Sequence, residues 1–143
     1  MDINEPIIVI EDDPDDSLLL QKALDELSIE NEIKVFSTAS QELFYLETTQ
    51  DRPFIILSDI NLPGMKGTDL KKIIDDNEYL RKKSIPYIFY TTSDNPHTIE
   101  LAYEMTVHGF FTKEHTAGKI KVTMKAIVDY WKMCKHPNPY LYQ

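Results

Sequence analysis

Phe54-Ile55-Ile56-Leu57-Ser58-Asp59-Ile60-Asn61-Leu62-Pro63-Gly64 is the stretch on which the fold turns. An apolar run of strand length ends in an acid, and the chain must then turn at Pro63-Gly64. A carboxylate at the C-terminal end of a buried strand sits where open α/β sheets place their ligands. Working outward, the N-terminal run Ile7-Ile8-Val9-Ile10 ends the same way, in Glu11-Asp12-Asp13. If the two strands are neighbours, three or four carboxylates crowd one sheet edge. Two unit charges about 4 Å apart repel by roughly 4 kcal/mol at an effective dielectric near 20. A cluster of that kind calls for a cation, and all-oxygen donors select a hard divalent ion, with Mg²⁺ completing its shell with water.

The rest of the chain alternates in the same manner. Apolar runs at 7–11, 33–36, 54–58, 87–91 and 110–112 read as strands. Amphipathic stretches separate them. Leu20, Ala23, Leu24 and Leu27 recur at three- and four-residue steps. That first helix opens with Asp13 as N-cap, Pro14 in the first helical position, and Asp15 and Asp16 opposing the helix dipole. Helices are also expected over 39–49, 68–77 and 98–107. A last one is marked by Ile120, Met124, Ile127 and Trp131. Five strand-then-helix units with right-handed crossovers make a doubly wound, five-stranded parallel sheet with helices on both faces.

Two more strands bring chemistry to the same edge. Tyr87-Ile88-Phe89-Tyr90 runs into the hydroxyls of Thr91, Thr92 and Ser93. Phe110-Phe111-Thr112 runs into Lys113. Acids, hydroxyls and one ammonium together suit a phosphoryl group carried on a carboxylate. The cations neutralise its oxygens, a hydroxyl donates a hydrogen bond, and the nucleophile stands in line with the leaving group.

Composition bounds the alternatives. The chain has 143 residues and a net charge of −9. The length suits one domain, and the charge argues against direct binding of nucleic acid through a basic face. One cysteine, Cys134, excludes an internal disulfide and a multi-cysteine metal site. The acidic start is not a signal peptide, and no segment approaches membrane-span length. The expectation is a soluble cytoplasmic domain over residues 1–136. A short tail, 137–143, follows with no output domain, and its tyrosines and leucine are expected to pack back on the body or on another chain. The histidines at 97, 108, 115 and 136 show no ligand spacing and read as structural or surface residues.

The ordered set of Glu11-Asp12, Asp59, Leu62-Pro63-Gly64 with Gly67 behind it, Thr91 and Lys113 resembles the receiver domain of two-component response regulators. More narrowly, Val9-Ile10-Glu11-Asp12-Asp13-Pro14-Asp15-Asp16, Thr91-Thr92-Ser93-Asp94 and Ile127-Val128-Asp129-Tyr130-Trp131 resemble stand-alone receivers paired with phytochrome-type kinases. The resemblance implies a flavodoxin-like (βα)5 fold with Asp59 as phosphoacceptor. It implies Mg²⁺ or Mn²⁺ held by Asp12 directly, Glu11 through water, Asp59, and the backbone carbonyl of Asn61. Thr91 is then the switch hydroxyl, with Thr92 beside it, Lys113 the phosphoryl-binding cation and Phe110 the switch aromatic. Asn61 and Ser93 fall where the family tunes hydrolysis; neither is a good general base, which implies a long-lived phosphoryl group. The partner is a sensor histidine kinase or phosphotransfer protein. The expected output is protein contact: phosphorelay to another histidine protein, a homodimer through the face built from the fourth helix, fifth strand and fifth helix, or competition for a kinase.

One position departs from the pattern. The family usually follows its lysine with proline, often after a cis bond, and this chain has Glu114. A cis bond before a non-proline residue costs roughly 2.5–4 kcal/mol, so the loop is either strained or trans. Two alternatives therefore stand beside the signalling reading. One is a phosphorylation-independent adaptor, favoured by Glu114 and the aromatic tail. The other is a Mg²⁺-dependent phosphatase with an aspartyl nucleophile, disfavoured because Asn61 stands where such an enzyme needs a second acid.

Overall fold

Runs of consecutive apolar residues, rather than alternating ones, belong to strands covered on both faces. In the computed structural model, which describes residues 5–136, those runs become β1 (Ile7–Ile10), β2 (Ile33–Phe36), β3 (Ile55–Ser58), β4 (Tyr87–Thr91) and β5 (Gly109–Thr112). The helices between and after them are α1 (Pro14–Glu26), α2 (Ala39–Thr48), α3 (Gly67–Asp76), α4 (Glu78–Lys82), α5 (Pro96–Glu104) and α6 (Ala117–Met133). All strand pairs are parallel, in the order β2-β1-β3-β4-β5. This is the flavodoxin-like doubly wound sheet. The three central strands are buried along their whole length, whereas β2 and β5 at the edges are largely half-buried.

Each strand sends alternate side chains to opposite faces, and two cores result. Ile7, Val9, Ile55, Leu57 and Ile88 meet Leu20 and Leu24 of α1 and Ile120, Met124 and Ile127 of α6. Ile8, Ile10, Ile56 and Phe89 meet α2, α3 and α5 through Leu46, Leu70, Ile74 and Ala102. No helix among the described residues is long and apolar enough to cross a membrane.

Element ends shift by a few residues, for local reasons. Asn77, expected as the last residue of the third helix, ends α3 and accepts from the Leu80 amide at 3.0 Å, which starts the unforeseen short helix α4. The expected fourth and fifth helices are therefore α5 and α6. Asn95-Pro96 opens α5 two residues earlier than expected, repeating the Asp13-Pro14 device. The helix stops at Glu104, just before Thr106 enters the left-handed region at φ 57°. Trp131 sits half-buried at the margin of the first core, edge-on to His108, Tyr130 and His136. His136 is buried against Phe54 and bonds the Trp131 carbonyl at 2.9 Å. Its structural reading holds. The expected packing of 137–143 lies outside the described residues.

One core position breaks the apolar rule. Glu42, between Ala39 and Leu46 on the inward face of α2, is fully buried, and neither carboxyl oxygen has a hydrogen-bond partner. Burial pushes its pKa up to about 8. The folded state thus keeps a proton that the unfolded chain releases above about pH 4.5. This contribution is fully present below that value and is lost as pH rises through about 8. A single group of this kind lowers stability by at most about 1.4 kcal/mol per pH unit within that window. Urea unfolding of Glu42→Gln between pH 5 and 8 should show a higher midpoint and a shallower pH slope than the parent. An unchanged slope would contradict the account.

Candidate functional site

The adjacency of β1 and β3 decides where the acids meet. Ile10 pairs with Ser58, so Glu11 and Asp59 leave the sheet side by side, and the Asp59 amide donates to the Ile10 carbonyl at 3.0 Å. Both side chains are buried, while Asp12 is exposed at the rim. The two Asp59 oxygens have different partners. Oδ1 accepts from the amides of Ile60 (2.7 Å) and Asn61 (3.2 Å). Oδ2 faces the Lys113 ammonium at 3.0 Å.

Lys113 reaches that point from β5. Its amide donates to the Thr91 carbonyl at 2.8 Å, and the next amide, of Glu114, donates to the Tyr90 hydroxyl at 3.2 Å. No peptide bond among the described residues is cis. A trans loop pinned to Tyr90 therefore delivers the lysine without the family's proline. The ammonium contacts Glu11 Oε1 at 2.5 Å, Asp16 Oδ2 at 2.8 Å and Asp59 Oδ2 at 3.0 Å. Burial alone would lower the lysine's pKa, but hydrogen bonds to Asp16, Glu11 and Asp59 outweigh it and hold the group above its ordinary value. Burial pushes Glu11 up to about 7 against the pull of Lys113.

Asp16 stands in the first turn of α1 as expected, and does more there than favour the dipole. Asp13 alone caps α1, accepting from the amides of Asp15 and Asp16 at 2.9 and 3.1 Å. Asp16 instead turns its carboxylate onto Lys113. Its place in the first turn of the helix that follows Glu11-Asp12 directly was the available signal. Tyr90 was also missed as a site residue, because a tyrosine in a buried strand reads first as core.

The hydroxyls occupy three different settings. Thr91 is fully buried and its Oγ1 receives the Ser93 amide at 3.4 Å. Ser93 Oγ accepts from the Asn61 side-chain amide at 2.7 Å, which ties the loop after β3 to the loop after β4. Thr92 is exposed. Phe110 is half-buried, its ring 6.2 Å from that of Phe89 in an edge contact. It lines a cleft of about 330 Å³ with Tyr103, Phe111, Tyr130 and Trp131, away from the acids on the α5–β5–α6 face.

Carboxylate oxygens of Glu11, Asp12 and Asp59 lie within 4.8 Å of one another. An all-oxygen set with one exposed member fits a hard divalent cation that keeps part of its water. The sequence matches the response regulator receiver domain family over residues 7–125. The chain belongs to that family. It is 28% identical over 130 residues to response regulator Rcp1 of Synechocystis, covering 87% of each chain. Among solved structures it resembles the phosphorylated cyanobacterial phytochrome response regulator RcpA, with 26% identity, a TM-score of 0.83, and coverage of 94% of this chain and 98% of that one. It also resembles the Mn²⁺-bound form of Rcp1, with 27% identity, a TM-score of 0.79, and coverage of 92% and 97%. The receiver thus carries an acidic pocket of Glu11, Asp12 and Asp59 with Lys113 among them. Receiver domains are in general phosphoacceptor signalling proteins rather than catalytic enzymes, and they work with histidine kinases.

Gly67 sets the floor of this pocket. A Cβ there would stand 2.1 Å from the Asp59 carbonyl oxygen, while the Gly67 amide donates to the Ile60 carbonyl at 3.0 Å. Gly64 has open space but a φ of 72°. Gly67→Ala should cost about 1–3 kcal/mol by overpacking and displace the backbone of Asp59. Gly64→Ala should cost about 1–2 kcal/mol through its backbone conformation alone. Urea unfolding measures the cost, and amide NMR shifts of residues 58–61 report the displacement. A Gly67→Ala protein with parental shifts there would contradict the reading.

Proposed function

We propose that this receiver is a phosphorylation-controlled signalling module of the cytoplasm. Asp59 accepts a phosphoryl group from a phosphohistidine of a sensor kinase or phosphotransfer protein. The observation that carries the reading is the asymmetry of Asp59. Two backbone amides hold Oδ1 and orient the carboxylate, and Oδ2 stands beside the ammonium that will meet the incoming charge. The Oδ2–P bond forms as the P–N bond of phosphohistidine breaks, and the imidazole leaves with the electron pair and takes a proton. Preorganised donors aimed at developing charge are the main catalytic device in such a transfer.

Glu11, Asp12, Asp59 and the Asn61 carbonyl are the groups that would hold Mg²⁺ or Mn²⁺, which when bound supplies positive charge to the phosphoryl oxygens. Lys113 moves its donor from Asp59 to those oxygens. Thr91, already at the end of β4 beside Lys113, offers its hydroxyl to another, with Thr92 at the outer edge. Phe110 then follows into the space beside Phe89. The cleft of Tyr103, Phe110, Phe111, Tyr130 and Trp131 is the output surface on this reading, for a second copy or a downstream protein. Aromatic residues of this kind dominate protein interfaces. On this reading the response is protein contact at that cleft.

Two observations favour this over the alternatives. The trans loop at Glu114 leaves Lys113 on Asp59, which removes the reason Glu114 gave for the adaptor reading; the aromatic tail that also favoured it lies outside the described residues. The Asn61 amide is bound to Ser93 and offers no acid to a phosphatase cycle. Incubation with Mg²⁺ and acetyl phosphate should add one phosphoryl mass to the intact protein and none to Asp59→Asn. Absence of the adduct on the parent would overturn the proposal. Asn61 and Ser93 bond each other and neither is a good general base for water, so the adduct should persist far beyond seconds after the donor is removed. Loss within seconds would contradict the tuning role of this pair.

A further inference from the structure

Lys113 has three N–H donors, and three carboxylates take them: Glu11, Asp16 and Asp59. Asp16 differs from the other two in kind. It comes from the first turn of α1 rather than from a strand end, and its side chain is 39% exposed, against 4% and 8% for Glu11 and Asp59. An acid in a first helical turn favours the dipole wherever its side chain points. That explanation does not require a contact of 2.8 Å with the buried ammonium.

We infer that Asp16 is a positioning residue that holds Lys113 in the unphosphorylated state and opposes phosphorylation of Asp59. The inference rests on the phosphoacceptor reading given above. When Oδ2 of Asp59 becomes the bridging oxygen of an acyl phosphate, negative charge moves onto the phosphoryl oxygens, and the Lys113 ammonium shifts towards them with the donor it gave Asp59. Releasing Glu11 would strand a buried carboxylate, which is costly. Asp16 is partly solvated and is the contact that this movement loosens, which forfeits the modest stabilisation its ion pair gives the resting site. If Asp16 stays on the same ammonium, its charge stands within a few ångströms of the phosphoryl oxygens and repels them. Either way Asp16 stabilises the resting site relative to the phosphorylated one. It also presents a negative charge to any anionic donor approaching the rim.

The test compares the parent, Asp16→Asn and Asp16→Glu, each saturated with Mg²⁺, for the rate of acetyl phosphate labelling by intact mass. Asp16→Asn should label about two- to fivefold faster, the range for a partly exposed ion pair. Its advantage should shrink from low to high salt as the rim charge is screened. Asp16→Glu, which restores a carboxylate, should return towards the parental rate. A slower or unchanged Asp16→Asn, or an Asp16→Glu that behaves like Asp16→Asn, would overturn the inference while leaving Asp59 as acceptor. No label on the parent would instead remove the phosphoacceptor reading, and this inference with it.

Discussion

One ammonium holds the C-terminal edge of this sheet together. Glu11 and Asp59 leave adjacent strands, and Asp16 leans in from α1. Without Lys113 they would be like charges at close quarters, two of them buried. Removing one partner of a buried ion pair typically costs about 3–5 kcal/mol, because the other charge is left uncompensated. The arrangement still suits function better than stability. A buried pair replaced by apolar groups of the same volume is often no less stable, whereas an apolar edge could neither hold a divalent ion nor receive a phosphoryl group.

The delivery of that ammonium depends on contacts that do not touch the reacting atoms. The Thr91 carbonyl takes the Lys113 amide and the Tyr90 hydroxyl takes the Glu114 amide. β4 therefore positions the loop that other receivers build around a proline. On the other side of the site, Gly67 lets α3 begin directly against the Asp59 carbonyl, and the Asn61–Ser93 bond joins the two loops that flank Asp59. The pocket is thus fixed at the backbone on three sides. Asp12 and Asp16 remain at its open rim.

Most of the fold was legible because each central strand is a continuous apolar run, a pattern that only a strand covered on both faces needs. The acids, hydroxyls and lysine were legible because each directly follows such a run, and parallel strands bring their C-terminal ends together. What escaped the reading were residues with a sufficient simpler explanation. Asp16 already served the helix dipole, Tyr90 already served the core, and Asn77 already closed a helix before it opened α4. Glu42 escaped for the opposite reason. At i+3 from Ala39 and i−4 from Leu46 it lies on the buried face, but a glutamate in that register reads as exposed unless the packing of α2 is known. The loop after Lys113 is held by a hydrogen bond to a residue 24 positions away, which no local pattern reveals.

The central proposal is that Asp59, whose Oδ2 faces the Lys113 ammonium, is the carboxylate that becomes phosphorylated. An acyl phosphate on an aspartate can be reduced with borohydride, which converts that residue to homoserine and marks its position in a peptide map. After labelling with acetyl phosphate and Mg²⁺, the account predicts homoserine at position 59 alone. Homoserine at position 12 or 16, or a phosphoryl adduct that resists borohydride, would contradict it.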